Sequence, residues 1–111
     1  MKTAVITGAN RGIGLALTQH YLAQGWQVIG ICRTTSPELD ASGAQVISGV
    51  DVTNAAAIAA LAQQLKGKSI DLLINNAGMQ ILKPALDLDE AEFDQIINVN
   101  LKGAFLMAQA V

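Results

Sequence analysis

The sequence predicts an α/β protein, a doubly wound parallel sheet with helices on both faces. Three observations predict it. Short apolar runs alternate along the chain with segments whose apolar residues recur at helical spacing. The runs are apolar without an alternating polar face, as strands buried on both sides must be. The first run passes directly into a glycine-rich turn, TGANRGIG at residues 7–14, and from there into the first helical pattern. Helical segments of this length can cross back over a sheet, so successive strands run parallel.

Each element follows in order. Residues 2–7 are a short apolar run closed by Gly8 and form the first strand. Residues 12–24 place Ile13, Ala16, Leu17, Tyr21 and Leu22 at helical spacing, and Gly25 ends that helix. WQVIGIC, residues 26–32, is the second strand. Residues 34–43 are rich in Thr, Ser, Pro, Asp and Gly and read mostly as loop, with room for a short turn of helix. Residues 45–50 are the third strand, ending at Asp51. Thr53 or Asn54 caps the next helix, whose Ile58, Leu61 and Leu65 share one face and which Gly67 ends. IDLLIN, residues 70–75, is the fourth strand. Residues 81–86, with Pro84, are loop. Asp87 or Asp89 then starts a last helix carrying Phe93, Ile96, Ile97, Val99, Leu101, Phe105 and Leu106.

Composition narrows the function classes. The 111 residues have the size of one domain, 1–111, without repeats or low-complexity tracts. Half are apolar (51%) and 14% are charged, with a net charge of −2 and no basic cluster, which argues against nucleic acid as a partner. No stretch approaches the ~18 consecutive apolar residues of a membrane span. Nothing at the N-terminus reads as a targeting segment. Cys32 has no second cysteine to pair with and suits a reducing compartment, so a cytoplasmic location is expected. No cluster with metal-ligand spacing stands out.

The glycine stretch carries the chemistry. A glycine-rich turn from a parallel strand into a helix gathers backbone N–H groups and the positive end of the helix at one point, a site suited to a pyrophosphate. Gly8 allows the tight turn, Gly12 lets backbone approach the phosphates, and Gly14 lets helix and strand pack closely. A tight turn with no ligand would use glycines in the same way. The spacing is G-x-x-x-G-x-G, not the G-x-G-x-x-G of the common dinucleotide fingerprint.

That spacing resembles the T-G-x-x-x-G-x-G cofactor loop of the short-chain dehydrogenase/reductase family, here including Asn10, Arg11 and Ile13. Further matches follow in the family's order. Asp51-Val52 stands after the third strand, where the family places an Asp against adenine. Asn75-Asn76-Ala77-Gly78 ends the fourth strand and matches N-N-A-G. Asn98-Val99-Asn100 matches the V-N element, whose Asn, here Asn100, helps hold a water in the family's proton relay. The resemblance covers the whole chain and implies a Rossmann-type sheet of order 3-2-1-4, the first part of 3-2-1-4-5-6-7, that binds a nicotinamide dinucleotide through Asn76, Ala77, Gly78 and Val99 besides the loops named above. Asp51 could equally start the following helix, and Asn75 is at least as well suited to bridging strands as to touching a ligand.

The cofactor expected is NADP(H) over NAD(H). An acidic residue at the end of the second strand holds a ribose 2′-OH, whereas an arginine suits a 2′-phosphate. Here the strand ends Cys32-Arg33-Thr34, with no carboxylate before Glu38, and Arg11 adds a second guanidinium. Of the catalytic residues that the resemblance implies, Asn100 is present. The Tyr-x-x-x-Lys pair is not: Tyr21 is the sole tyrosine and Gly25 stands four positions on. Every serine precedes the fourth strand. His20 beside Tyr21 reads as surface or packing. The expectation is therefore the N-terminal, cofactor-binding part of an oxidoreductase, inactive by itself. The alternative is a non-catalytic nucleotide-binding or assembly module. With later strands absent, the apolar fourth strand is expected to be an open edge that pairs with another chain, a homo-oligomer included.

Overall fold

The computed structural model describes residues 1–78 and 87–111; the loop expected at 81–86 lies outside them. The elements in order are β1 (Thr3–Thr7), α1 (Gly12–Ala23), β2 (Gln27–Ile31), α2 (Pro37–Asp40), β3 (Gln45–Ile47), α3 (Ala55–Leu65), β4 (Leu72–Ile74), α4 (Glu90–Ile97), a π-helical turn (Asn98–Lys102) and α5 (Gly103–Ala110). The four strands form one parallel sheet of order β3-β2-β1-β4. This is the expected Rossmann-type 3-2-1-4 arrangement.

Two apolar layers sandwich the sheet. Val5, Ile29, Ile31 and Ile47 point to one face, against Ile58, Leu61 and Leu65 of α3 and Met107 of α5. Ile6, Val28 and Cys32 point to the other, against Leu15, Leu17, Tyr21 and Leu22 of α1 and Leu39 of α2. The register explains the split: Val5 stands beside Ile29 and Leu73, and Ile6 beside Gly30 and Ile74, so neighbours on one side of the pleat share a layer. Each fully buried Leu or Ile contributes about 1.5–3 kcal/mol. Ala4, Val5 and Ile6 of the central strand are fully buried, whereas every residue of β4 is only half-buried.

One expectation needs correction, and the alternatives left open are decided. Ile13 and Ala16 are not on the packed face of α1. Ile13 is 73% exposed, and the buried centre of the helix is Gly14 and Thr18, whose hydroxyl donates to Gly14 O at 2.8 Å. Residues 34–43 contain a capped helical turn, α2. Neither Asp51 nor Thr53 starts α3: Asn54 does, accepting from Ala57 N. The last helix starts at Asp89, where a reciprocal capping box with Glu92 closes it. At the other end of α1, Gly25 (φ +84) lets the N–H groups of Gly25 and Trp26 close back on Leu22 and Tyr21. That brings the Trp26 ring to 5.0 Å from Tyr21.

Candidate functional site

A cleft of about 650 Å³ opens where the strands end, within the range of small-molecule sites. Its walls come from loops far apart in sequence. The β1 end contributes Thr7, Gly8 and Asn10 to Ile13. The β2 end contributes Ile31 to Thr34, the β3 end Val50 to Val52, and the β4 end Asn76 to Gly78. Gln95 and Val99 of the last helix complete it. The parallel sheet causes this convergence, because every strand delivers its following loop to the same edge. A second groove of about 580 Å³, lined by Thr3, Trp26, Gln45 and Lys68, opens at the opposite strand ends and holds none of the expected residues.

Of those, Gly8, Asn10, Arg11, Gly12, Ile13, Arg33, Asp51, Val52, Asn76, Ala77, Gly78 and Val99 all line the cleft. Gly14 and Asn100 are not in its wall. Gly14 is buried beneath the loop, where a Cβ would come within 2.7 Å of the Gly8 carbonyl carbon and 2.6 Å of Asn76 Nδ2. Its role is to let α1 sit on the end of β1. Asn100 occupies the π-helical turn, and its side-chain oxygen would be 3.1 Å from a Cβ placed on Gly78. It therefore lies against the β4 loop at Gly78.

Helix α1 begins differently from the other helices that start afresh. Arg11 stands at its N-cap with extended backbone and no side-chain hydrogen bond, and no acidic residue occupies the first turn. Ser36, Asn54 and Asp89 cap α2, α3 and α4 with their own oxygens. The first-turn N–H groups of α1 thus receive no side-chain acceptor from their N-cap and border the cleft, with open space around Gly12 among the described residues. Gly8 makes the approach possible with φ +64, packed against Asn76 and Ala77.

One hydroxyl joins the first and fourth strands. Thr7, 1% exposed, accepts from Asn76 N at 3.0 Å and Ala77 N at 2.9 Å. Asn76 Nδ2 donates to Gly8 O at 3.3 Å. The strand-bridging asparagine is therefore Asn76, while Asn75 is exposed. Sequence reading passed over Thr7 as a site residue. Its signal was a single polar side chain closing an apolar strand, which must find partners once buried.

Charge in the cleft is mixed. Arg11 and Arg33 are exposed at its mouth. Asp51 Oδ1 accepts from Thr53 N at 2.9 Å and Thr53 Oγ1 at 2.7 Å. These two bonds, with a smaller contribution from the Arg33 charge, hold the carboxyl below its usual range. Burial, helped by the Asp40 charge, pushes the Cys32 thiol up, so it is not a ready nucleophile. Tyr21 packs against Trp26, and His20 is exposed. Among the described residues no group of His, Cys, Asp and Glu is arranged to hold a metal, and no helix is long and apolar enough to cross a membrane.

Comparison with known proteins agrees with this layout. A family model described as short chain dehydrogenase matches residues 2–111. D-threitol dehydrogenase of Mycolicibacterium smegmatis is 34% identical over 99% of the chain and 46% of its own length. Among solved structures, 4-hydroxyisoleucine dehydrogenase complexed with NADH superposes with a TM-score of 0.85 at 33% identity, over 98% of this chain and 47% of that one. An alcohol dehydrogenase from the archaeon Thermococcus sibiricus, complexed with 5-hydroxy-NADP, superposes with a TM-score of 0.84 at 29% identity, over 99% and 51%. The chain spans about half the length of the relatives it matches.

Proposed function

The chain belongs to the short-chain dehydrogenase family, and on that premise we propose that residues 1–111 form the cofactor-binding part of an oxidoreductase. The enzyme would move a hydride between a nicotinamide dinucleotide and a carbonyl or alcohol substrate. The observation that carries the reading is the convergence on one cleft of the glycine loop, Asp51-Val52, Asn76 to Gly78 and Val99. The site's construction fits a dinucleotide: an uncapped helix start faces a glycine-lined space where a pyrophosphate can take the place of the missing cap. The first-turn amides of α1 and the Gly8–Gly12 loop would hold the phosphates. Asp51 would stand against the adenine, and Asn76 to Gly78 with Val99 would border the nicotinamide half. When bound, the nicotinamide supplies the hydride chemistry.

NADP(H) is the cofactor we favour. One similar structure carries NADH and another 5-hydroxy-NADP, so kinship leaves the choice open. Two exposed arginines border the cleft, and the β2 end that would meet the adenosine ribose offers Arg33 and no carboxylate. Asn100 is the member of the family's catalytic set present in these 111 residues, and without the serine and the Tyr-x-x-x-Lys pair we expect no carbonyl reduction from this chain by itself.

We further propose that it works in the cytoplasm and pairs with other chains. On the last helix, Phe93, Ile97, Leu101 and Phe105 make an apolar stripe at helical spacing, each 39–65% exposed. Calorimetric titration of the chain with NADPH and NADH, run beside sedimentation, tests these points. NADPH is expected to bind at least about tenfold tighter, the worth of one good charge-assisted contact. Equal affinities would sink the NADP(H) assignment, and no binding of either cofactor would sink the reading of the cleft.

A further inference from the structure

Resting on the NADP(H) reading of the cleft, we propose that Ser36 is a positioning residue: it ties the Arg11 loop to the Arg33 loop and so sets the grip on a 2′-phosphate.

The two guanidiniums belong to separate segments, and a two-point clamp needs those segments held in register. The Arg33 segment is fixed on its β3 side, where Arg33 O accepts from Gly49 N at 2.9 Å and Cys32 O from Val50 N at 3.1 Å. The Arg11 segment is tied to the β2 side twice. Ala9 N donates to Ile31 O at 3.2 Å, and Asn10 O, one peptide before Arg11, accepts from Ser36 Oγ at 2.5 Å. The first tie is backbone. The second is a side chain three residues beyond Arg33, and it spans the two segments directly.

Ser36 is itself held in place. Its oxygen accepts from Leu39 N at 3.2 Å, closing the start of α2. Leu39 is fully buried over Gly30, where an added Cβ would meet Leu39 Cδ1 at 3.3 Å and Ala9 Cβ at 3.1 Å. The short turn α2 thus works as a buttress: Leu39 anchors it in the sheet layer, and Ser36 carries that anchor to the glycine loop. A serine hydroxyl has one proton. Here it goes to Asn10 O, so Ser36 acts through Arg11 rather than by touching a ligand.

The test is calorimetric titration of the chain with NADP⁺ and NAD⁺, for the unmodified protein and for Ser36→Ala, Ser36→Gly, Ser36→Thr and Arg33→Ala. Ser36→Ala and Ser36→Gly are expected to weaken NADP⁺ about tenfold, as loss of one charge-assisted contact would. NAD⁺ should change less than about twofold. Ser36→Thr, which keeps the hydroxyl, should restore the ratio. Glycine is a competent N-cap, so Ser36→Gly decides the matter if the alanine variant fails to fold. Equal weakening of both cofactors, an unchanged ratio, or failure of both variants to fold would overturn the proposal and leave Ser36 a structural residue. Equal binding of the two cofactors by the unmodified chain, unmoved by Arg33→Ala, would instead show that the NADP(H) reading had failed, and Ser36 would lose its role with it.

Discussion

Helices α1 and α3 both leave the carboxyl end of a parallel strand, yet they begin in opposite ways. Asn54 closes α3 by accepting from Ala57 N at 3.1 Å. Arg11 stands at the same position of α1 and accepts nothing there with its side chain. The third residue of α3 is Ala57, which carries a methyl group. The third of α1 is Gly14, with no room for one. On the proposed function, the difference separates a helix end closed by its own side chain from one left open for an anion: Asn54 occupies the Ala57 amide, and Arg11 occupies none.

The comparison breaks most severely at Gly14. In Gly14→Ala the methyl would press on the Gly8 carbonyl and the Asn76 amide, which are backbone and a bonded side chain that cannot swing aside. About 2–3 kcal/mol of stability should be lost, as overpacking costs, visible as a lower urea midpoint with an unchanged slope. A variant as stable as the parent would show that α1 can retreat from β1, and that the close fit of the loop is incidental.

Exchanging the two helix starts sharpens the contrast. Arg11→Asp gives α1 a side-chain cap and an acidic group at its positive end, and should raise the thermal midpoint of the free chain. The same carboxylate would repel nucleotide phosphates, so NADPH affinity should fall about 100-fold, a change of ~2.7 kcal/mol. Asn54→Ala should do the reverse. It should cost about 1 kcal/mol of stability and leave cofactor affinity alone, because Asn54 is outside the cleft wall. If Arg11→Asp binds NADPH normally, the phosphates do not sit at the start of α1.

What the sequence made legible was whatever depends on apolar periodicity and turn residues. The four strands, their parallel direction and the buried face of α3 through Ile58, Leu61 and Leu65 follow from those patterns, whereas the order 3-2-1-4 follows from the family resemblance. On α1 periodicity found Leu17, Tyr21 and Leu22 but misplaced Ile13 and Ala16, because the buried centre is a glycine and a threonine, and an apolar count passes over both. It left room for α2 without placing it, because four residues are too few to show a period; the signal there was a capping serine followed by proline. Most of the candidate site was legible as motif letters, but its internal wiring was not. Assigning the bridge to Asn76 rather than Asn75 turns on a single residue of strand register. The roles of Thr7 and Ser36 depend on which loops the sheet brings together. The π-helical turn at Asn98–Lys102 leaves no mark in composition at all.

The smallest expected effect concerns Asp51, which shares the α3 side of the comparison with Asn54 but lies in the cleft wall. Its carboxyl is held below the usual range, first by the Thr53 N–H, then by the Thr53 hydroxyl, with Arg33 adding less. A depressed folded-state pKa means that the charged form is favoured by folding. The stabilisation is complete above the unfolded value near 4 and is lost as pH falls through the lower folded one. Thermal melts between pH 6 and pH 2.5 should therefore show Asp51→Ala less stable than the parent at pH 6, with the gap shrinking in acid. The gap should be small, because the Asp51 carboxyl is screened by solvent. Thr53→Val removes the hydroxyl and keeps the larger N–H contribution, so it should reduce the same acid dependence only in part while keeping a carboxylate in the cleft for a ligand. A gap that stays constant with pH would mean that Asp51 supports the turn by shape alone, and that its charge is held there for the ligand.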